Sequence, residues 1–300
     1  MSSNLMHISV CICTYHRPEY LKRLLKALGR QDTKGLFSFS VVIADNDHRQ
    51  SAKQIVSEFA ATSAIPIIYC MEPEQNIALA RNKALENAKG DFIAFIDDDE
   101  IPEEDWLFNL FKTCNEYSVD GVLGPVMPYF EHKPPQWVVK GKFFERPMHE
   151  TGHRLHWTET RTGNLLFRRE ILKGMDYAFK PEFGTGSEDV DFFRRMMKND
   201  RIFVWCNNAV VYETVPSERC KPSYLLRLAL LRGGNSLKHR EGLAHNIIKS
   251  LIAVPAYGLA LPFVFVAGRH YFMIYLIKFL DHAGRLLALI GINPVKKRVL

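Results

Sequence analysis

Residues 92–101 join a short apolar run to four consecutive acids, and this pattern restricts the fold more than any other part of the chain. Phe92–Ile96 is a continuous run rich in β-forming residues, which is typical of a strand buried on both faces of a parallel sheet. The acids at positions 97–100 would then lie at the carboxyl end of that strand, where open α/β sheets bind their ligands. Adjacent carboxylates repel one another unless a cation or hydrogen-bond donors offset their charge. Taken alone, the stretch is either a metal–diphosphate site or the solvated, acidic first turn of a helix.

Strands and helices alternate along the first half of the chain, and this alternation decides the fold class. The patterns predict strands at 8–14, 40–44, 65–69 and 92–96 and helices at 18–30, 51–60, 77–88 and 103–115. Further on, the patterns predict a return to regular structure at 163–167, a helix at 188–199 and a strand at 201–205. Residues 224–238 show helical periodicity. Such alternation predicts an α/β fold with a mostly parallel sheet and helices on both faces.

The segment from Pro125 to Thr162 lacks this regularity, because prolines lie there among aromatic and basic residues. A loop of this length in a compact domain is more often a binding element than a plain surface loop. The segment is therefore a candidate part of a binding site.

The carboxyl-terminal part of the chain is basic and apolar. Ser217–Leu300 carries 13 Lys and Arg against 3 Asp and Glu, whereas the residues before it carry 26 against 30. Ser250–Gly268 is uncharged but contains Pro255 and Pro262, so a broken helix pair lying in or dipping into a membrane surface fits better than a clean span. Basic residues around these runs, including the cluster at 296–298, suit anionic lipid, and nothing indicates nucleic acid. A buried helical hairpin or a dimer interface is the alternative.

The cysteines and the first residues indicate a reducing, cytoplasmic location. The six cysteines are scattered and form no C-x-x-C pair. Residues 1–7 lack the basic and apolar regions of a secretory signal.

Polar residues also follow the other predicted strands. The first strand runs into Thr14, Tyr15 and Arg17, which offer donors to an anion and a ring to a base. The second ends at Asp45, which suits a base or a ribose but equally a helix cap. Arg81, with its neighbour Asn82, lies on a helix expected near the same crevice.

These motifs, in this order, resemble the GT-A fold of family 2 glycosyltransferases. The resemblance rests on residues 9–15, Asp45, residues 80–82, the acids at 97–99 and Gly184–Asp189, which is similar to the family's Gly-Gly-Glu-Asp motif. It covers about residues 7 to 240. Within the family the chain is most similar to non-processive glucosyltransferases of succinoglycan-type exopolysaccharide assembly, and the processive Gln-x-x-Arg-Trp signature is absent. The chain therefore divides into an expected GT-A domain, 1–240, and an apolar and basic helical membrane-associating tail, 241–300.

The resemblance assigns expected roles to individual residues. The catalytic base would be Asp189, and Mg²⁺ or Mn²⁺ would bind Asp99 and Glu213. The acceptor or diphosphate would contact Asn164, Glu188 and Arg232. The residues that would contact the donor are Thr14, Tyr15, Arg17, Asp45, Arg81, Asp97 and Asp98. Three positions depart from the family pattern: Ile77 and Ser187 replace glycines, and Glu213 stands where many relatives have a metal-binding histidine.

The implied function is inverting, non-processive transfer of one hexose from a nucleotide diphosphate sugar, expected to be a UDP-sugar, to a lipid-linked saccharide. The place of action would be the cytoplasmic face of a bacterial inner membrane, with the protein attached peripherally or monotopically. Two alternatives stay open. A sugar-phosphate nucleotidyltransferase also needs a nucleotide crevice, although Thr14–Pro18 is not its glycine-rich loop. A non-catalytic nucleotide-sugar-binding protein would need neither the acids Asp97 and Asp99 nor Asp189.

Overall fold

The computed structural model of the chain describes residues 5–238 and 243–295, which form two compact units. The first unit extends through Met127 and adds Arg146–Gly184 and Glu188–Thr214; the second contains Pro128–Glu145, Thr185–Ser187 and the chain from Val215 onward.

A seven-stranded sheet forms the centre of the first unit. The strands of the described chain are β1 (Met6–Thr14), β2 (Phe37–Asp45), β3 (Ile67–Met71), β4 (Phe92–Phe95), β5 (Glu100–Pro102), β6 (Gly121–Leu123), β7 (Val126–Phe130), β8 (Leu165–Arg168), β9 (Phe203–Trp205) and β10 (Val211–Val215). The order of the large sheet is β3-β2-β1-β4-β8-β6-β9, and β8 alone runs antiparallel to its neighbours within it. The predicted, mostly parallel sheet is thus confirmed.

Helices cover both faces of this sheet. The helices of the described chain are α1 (Pro18–Leu28), α2 (Lys53–Ala60), α3 (Ile77–Asn87), α4 (Trp106–Glu116), α5 (Gln136–Lys140), α6 (Glu188–Lys198), α7 (Pro222–Asn235), α8 (Leu243–Ala267) and α9 (Arg269–Leu289). Side chains of β1 alternate between two cores, as expected for a strand buried on both sides. Val10 packs with Leu21 of α1 and Leu110 of α4, whereas Cys11 packs with Ala84 of α3 and Phe193 of α6.

The register of the central strands brings the motif residues to one edge of the sheet. Thr14, the last residue of β1, pairs with Asp45, the last residue of β2. On the other side of β1, Cys11 pairs with Phe95, so the acids at 97–100 leave β4 close to the end of β1. The carboxyl ends of three parallel strands therefore present the predicted site residues together.

Two expectations about local structure were wrong. The acids do not lead straight into a helix: Glu100–Pro102 forms β5, which pairs antiparallel with β10, and α4 begins only at Trp106. No strand was predicted after 201–205, yet Val211–Val215 forms β10, and Glu213 lies inside it. Short strands of three to five residues carry too little periodicity to be recognised from sequence.

The second unit has its own apolar core and a pair of long helices. Trp137 and Val138 of α5 pack with Leu225 of α7 and Met273 of α9. Glycine allows α7 and α9 to approach closely, because a Cβ at Gly284 would lie 2.7 Å from the carbonyl oxygen of Leu230.

Helix α8 runs unbroken through Pro255 and Pro262, contrary to the expected interruption. By length and composition it is long and apolar enough to cross a membrane. Large apolar side chains on it are exposed, including Leu259, Phe263 and Val266. The break expected in this region falls instead at Gly268, whose φ of 136° suits glycine and separates α8 from α9.

The predicted boundary between residues 240 and 241 lies outside the described residues, as does the basic cluster at 296–298. Both therefore stay predictions.

Candidate functional site

The end of β1 and the turn after it hold two of the acids. Thr14 donates a hydrogen bond from Oγ1 to Oδ2 of Asp98 at 2.8 Å. Arg17, just before α1, reaches Asp98 at 3.1 Å and Asp99 at 3.0 Å through Nη1. Both carboxylates are buried. Burial raises the pKa of Asp98 to about 6, because Arg17 and Thr14 only partly offset the lost solvation and the repulsion from Asp99.

Two further acids face each other across β5 and β10. Glu100 pairs in register with Glu213, and its Oε2 accepts a hydrogen bond from the backbone N–H of Asp97 at 3.0 Å. Glu100 is completely buried, and burial together with Asp97 raises its pKa well above the ordinary value. Arg146 forms an ion pair with Glu213. The chain also approaches these acids at Gly163, where a Cβ would lie 2.7 Å from Oε1 of Glu100.

Helix α3 contributes a buried cation. Arg81 forms an ion pair with Glu188, and its Nη2 lies 3.7 Å from Oδ1 of Asp97. Burial alone would lower the pKa of Arg81, but Glu188 and Asp97 raise it, so the guanidinium stays charged. Its neighbour Asn82 exchanges two hydrogen bonds with the backbone of Phe179, at 2.6 and 3.0 Å. The Arg81-Asn82 pair thus fastens the chain that leads to α6.

The start of α3 contacts residues 181–184, which belong to the chain that leads to α6. Asn76 caps the helix by accepting from Ala78 N–H at 3.0 Å, and its Nδ2 donates to the carbonyl of Pro181 at 3.0 Å. Gly184 is required here, since a Cβ would lie 2.2 Å from the Asn76 side chain. Ile77, in the place of the family's glycine, is accommodated and donates its N–H to the carbonyl of Gly184 at 3.3 Å.

Asp189 lies in the first turn of α6, directly after the buried Glu188. Its side chain is half-buried, and Oδ1 accepts from the N–H of Val190 at 2.8 Å. Oε2 of Glu188 is buried and meets no hydrogen-bond donor among the described residues. The first turn of α6 therefore carries a partly exposed carboxylate beside a buried one that can still accept a hydrogen bond.

Asp45 and Tyr15 occupy different surroundings at the same edge. Asp45 is fully buried, and its Oδ2 accepts from Ala52 N–H and from the Tyr69 hydroxyl, each at 2.9 Å. Its Oδ1 accepts from Asp47 N–H at 3.2 Å, so Asp45 holds the loop between β2 and α2. Contact of Asp45 with the nucleoside stays a prediction. Tyr15 is partly exposed at the end of β1, where its ring is available to a ligand.

The side chains of Asn164 and Arg232 each have partners outside the acids. The Asn164 side chain is fully buried; it donates to the carbonyls of Pro125 and Ala209 and accepts from Trp106 Nε1, all within 2.8 Å. Its hydrogen-bonding groups are thus used within the fold, and the expected contact of Asn164 with acceptor or diphosphate stays a prediction. Arg232 lies in the second unit and pairs with Asp281 through two hydrogen bonds, at 3.1 and 3.2 Å.

Sequence reasoning missed two arginines of the site, Arg146 and Arg161. Burial and Arg146 lower the pKa of Arg161 to about 10, while Glu100, Asp189 and Glu213 act in the opposite direction. Arg161 stays charged at neutral pH, yet it forms no hydrogen bond or ion pair with the part of the chain that is described. Both arginines belong to the irregular segment between Pro125 and Thr162, and that irregularity was the signal available.

Contacts and electrostatic interactions link seven carboxylates and four guanidinium groups, so the carboxylates are in excess. We call this group the acid cluster; it contains Asp97, Asp98, Asp99, Glu100, Glu188, Asp189 and Glu213 with Arg17, Arg81, Arg146 and Arg161. Oxygen donors in excess suit a hard divalent cation such as Mg²⁺ or Mn²⁺. The guanidinium of Arg161, which has no ion-pair partner among the described residues, suits an anionic group such as a phosphate.

The comparison with known sequences identifies the family. Residues 9–175 match the profile described as glycosyl transferase family 2. The chain belongs to this family. It is 33% identical over 264 residues to the succinoglycan biosynthesis protein ExoM of Rhizobium meliloti, and the match covers 86% of this chain and 79% of that protein. The resemblance found in the sequence is thereby confirmed, and the protein is a glycosyltransferase.

Solved structures show the same fold. The mannosyltransferase PcManGT of Pyrobaculum calidifontis, in complex with GDP-Man and Mn²⁺, aligns with a TM-score of 0.66 at 17% identity, over 95% of this chain and 87% of that one. S. aureus TarS 1–349, in complex with UDP-GlcNAc, aligns with a TM-score of 0.55 at 19% identity, over 96% and 93%. The GT-A fold predicted from the motifs is confirmed.

Proposed function

We propose that this family 2 glycosyltransferase transfers one hexose from a UDP-sugar to a lipid-linked saccharide, with inversion at the sugar carbon and without polymerisation. The observation that carries the proposal is the acid cluster at the carboxyl ends of the parallel strands, interleaved with Arg17, Arg81 and Arg161. This arrangement offers oxygen ligands to a cation and guanidinium donors to a diphosphate within one site.

The residues fit a divalent cation. Burial, and to a smaller degree repulsion from neighbouring acids, raises the pKa values of Asp98 and Glu100, and a bound cation would offset both effects. Asp99 and Glu213 would hold Mg²⁺ or Mn²⁺, and a bound ion would neutralise charge on the leaving diphosphate. Arg17 and Arg146 already contact these two carboxylates and orient them. The Mn²⁺ and nucleotide sugars held by proteins of the same fold support this assignment.

The donor would lie against the ends of β1 and β4. Tyr15 presents a partly exposed ring for the base, and half of the Asp97 side chain is exposed, as a ribose ligand requires. Arg161 supplies a charged group that forms no ion pair within residues 5–238 and 243–295, so a donor phosphate would be a suitable partner for it. We assign Arg161 to the diphosphate.

Asp189 would act as the general base. Inversion needs a carboxylate that takes the proton of the acceptor hydroxyl on the face opposite the leaving group. Asp189 is partly exposed and is held by the first turn of α6, which the buried Arg81–Glu188 pair fastens to α3. Oε2 of Glu188 would accept a hydrogen bond from a sugar hydroxyl.

The second unit would bring the enzyme to its acceptor. Exposed apolar side chains on α8 and α9, with Arg269 and Lys278 among them, suit insertion into a bilayer that bears anionic lipid. The likeness to a succinoglycan biosynthesis protein supports a saccharide as the acceptor, and the exposed apolar helices suit an acceptor that is carried on a lipid. We place the enzyme at the cytoplasmic face of the inner membrane, where residues 241–300 form its attachment and residues 1–240 its catalytic domain.

A donor screen tests the proposal. UDP- and GDP-sugars are incubated with the full-length enzyme and Mn²⁺, and slow hydrolysis is followed as release of nucleoside diphosphate. We expect activity with a UDP-hexose, loss of activity in EDTA, recovery with Mn²⁺ or Mg²⁺, and weaker donor binding in Asp99→Ala. Full activity in EDTA would reject the metal role. Release of pyrophosphate from a nucleoside triphosphate would indicate a nucleotidyltransferase, and binding without turnover a non-catalytic protein.

A further inference from the structure

A second group of ligating side chains shares no member with the acid cluster and lies on the segment that follows Arg146. His149, His153 and Glu159 each present one ligand atom, and these atoms all lie within 4.8 Å of one another. Nε2 of His149 is 3.2 Å from Oε1 of Glu159, and the two imidazole rings stack with centroids 4.3 Å apart. Two imidazoles and a carboxylate form a donor set that differs in kind from the all-oxygen acid cluster.

The backbone around this group is fixed to the main sheet. Gly152 donates its N–H to the carbonyl of Trp205 at 2.8 Å, and Trp205 donates to the carbonyl of His153 at 2.9 Å. Leu155 adds a bond of 2.9 Å to Phe203, so residues 152–155 extend along β9. A group carried on such a paired segment keeps its position better than one on a free loop.

Two of the three side chains are also oriented by neighbours. Glu159 accepts from the N–H of His156 through Oε2, at 3.0 Å, which leaves Oε1 directed at His149. Trp205 lies edge-on to the His149 ring, 5.5 Å between centroids. Carboxylates and rings oriented in this way are typical of metal ligands with supporting outer contacts.

We propose that His149, His153 and Glu159 form a binding site for a borderline divalent ion, Zn²⁺ in particular. Ligand atoms about 2.0–2.2 Å from a tetrahedral ion lie roughly 3.3–3.5 Å apart. The pair His149–Glu159, at 3.2 Å, lies just below that spacing. Parallel rings do not direct their lone pairs at one point, so one ring must turn; His153 is exposed and has the freedom to do so. Water would complete the coordination.

The ion would stabilise a segment that is flanked by two arginines of the candidate active site. The segment begins just after Arg146, which pairs with Glu213, and ends just before Arg161. Cross-linking His149 and Glu159 would restrict the chain between these arginines without contributing a ligand to the acid cluster. The site is therefore structural, and its occupancy is independent of the donor.

Metal binding to the full-length protein tests this site directly. Protein dialysed against EDTA is supplied with excess Mg²⁺ to occupy all-oxygen sites, and Zn²⁺ is then titrated by calorimetry. Co²⁺ is titrated in parallel, because a tetrahedral site with nitrogen ligands gives strong visible absorption bands that an octahedral oxygen site does not. We expect one Zn²⁺ site and tetrahedral Co²⁺ bands.

The variants locate the ion. His153→Ala and Glu159→Gln should raise the Zn²⁺ Kd at least about tenfold, the loss that even outer ligand contacts cause, and should remove the Co²⁺ bands. His132→Ala, an exposed histidine outside the group, and Asp99→Ala should leave both signals unchanged. Circular dichroism confirms that each variant is folded. The proposal is overturned if wild type binds no Zn²⁺ in excess Mg²⁺, if both cluster variants bind it normally, or if Asp99→Ala alone removes the signal.

Discussion

The buried ion pair between Arg81 and Glu188 gives a stability prediction that can be worked from the structure. Only 5% and 4% of these side chains are exposed. Removing one member of such a pair leaves a buried, uncompensated charge and costs about 3–5 kcal/mol. Arg81→Met and Glu188→Gln should therefore each destabilise the first unit by about 3 kcal/mol or more. The double variant Arg81→Met/Glu188→Gln removes both charges and should cost far less than the sum, because neither side chain is then left as a buried, uncompensated charge.

Amide hydrogen exchange of α3 and α6 measures these local free energies without requiring that the two units unfold together. The matched control lies on the same helix. Lys83 and Glu86 form an exposed pair at 2.9 Å, and Lys83→Ala should change stability by at most about 0.5 kcal/mol. The reasoning is refuted if Glu188→Gln is no more destabilising than Lys83→Ala, or if the two single effects simply add in the double variant.

Three further outcomes are expected. Since burial raises the pKa of Asp98 from 3.8 to about 6, the metal-free folded protein holds a proton that the unfolded chain loses between these pH values. Its stability should therefore fall by up to about 3 kcal/mol as pH rises from about 4 to 7 in EDTA, and Asp98→Asn should flatten this dependence in thermal unfolding; an equally steep curve would contradict it. Arg161→Ala should raise KM for the nucleotide sugar about tenfold or more, with partial rescue by Arg161→Lys, and an unchanged KM would remove Arg161 from the diphosphate site. Phe263→Asp with Val266→Asp should reduce co-sedimentation with anionic vesicles while donor hydrolysis persists, whereas a full-length protein that is soluble and monomeric without detergent would contradict membrane attachment.

The acid cluster was predictable because parallel strands end at a common edge. Asp45 and the acids at 97–99 follow apolar runs, and the order of runs and helices fixes which ends meet. The local role of each residue was less accessible. The Asp45 carboxylate accepts hydrogen bonds from Ala52 N–H and from the Tyr69 hydroxyl, and only the tertiary structure brings these donors to it.

The misplaced expectations have physical causes. Prolines at 255 and 262 each remove one hydrogen bond, but both are exposed on a helix that packs along α9, so α8 continues. Ser187, which replaces a glycine of the motif, adopts a φ of 75°. The family's preference for glycine at that position thus reflects backbone conformation, and serine accepts it at some cost. Arg146 and Arg161 come from an irregular segment, where no periodicity indicates which side chains turn inward.

The most direct test of the central claim separates donor binding from chemistry at Asp189. Asp189→Asn keeps the shape of the side chain but removes its basicity. With Mn²⁺ and the donor found in the screen, we predict a donor Kd within about twofold of wild type and a kcat lower by at least about a hundredfold, the usual scale for a lost general base. A near-normal kcat in Asp189→Asn would contradict the account and move the base to another carboxylate of α6, with Asp191 the next to examine.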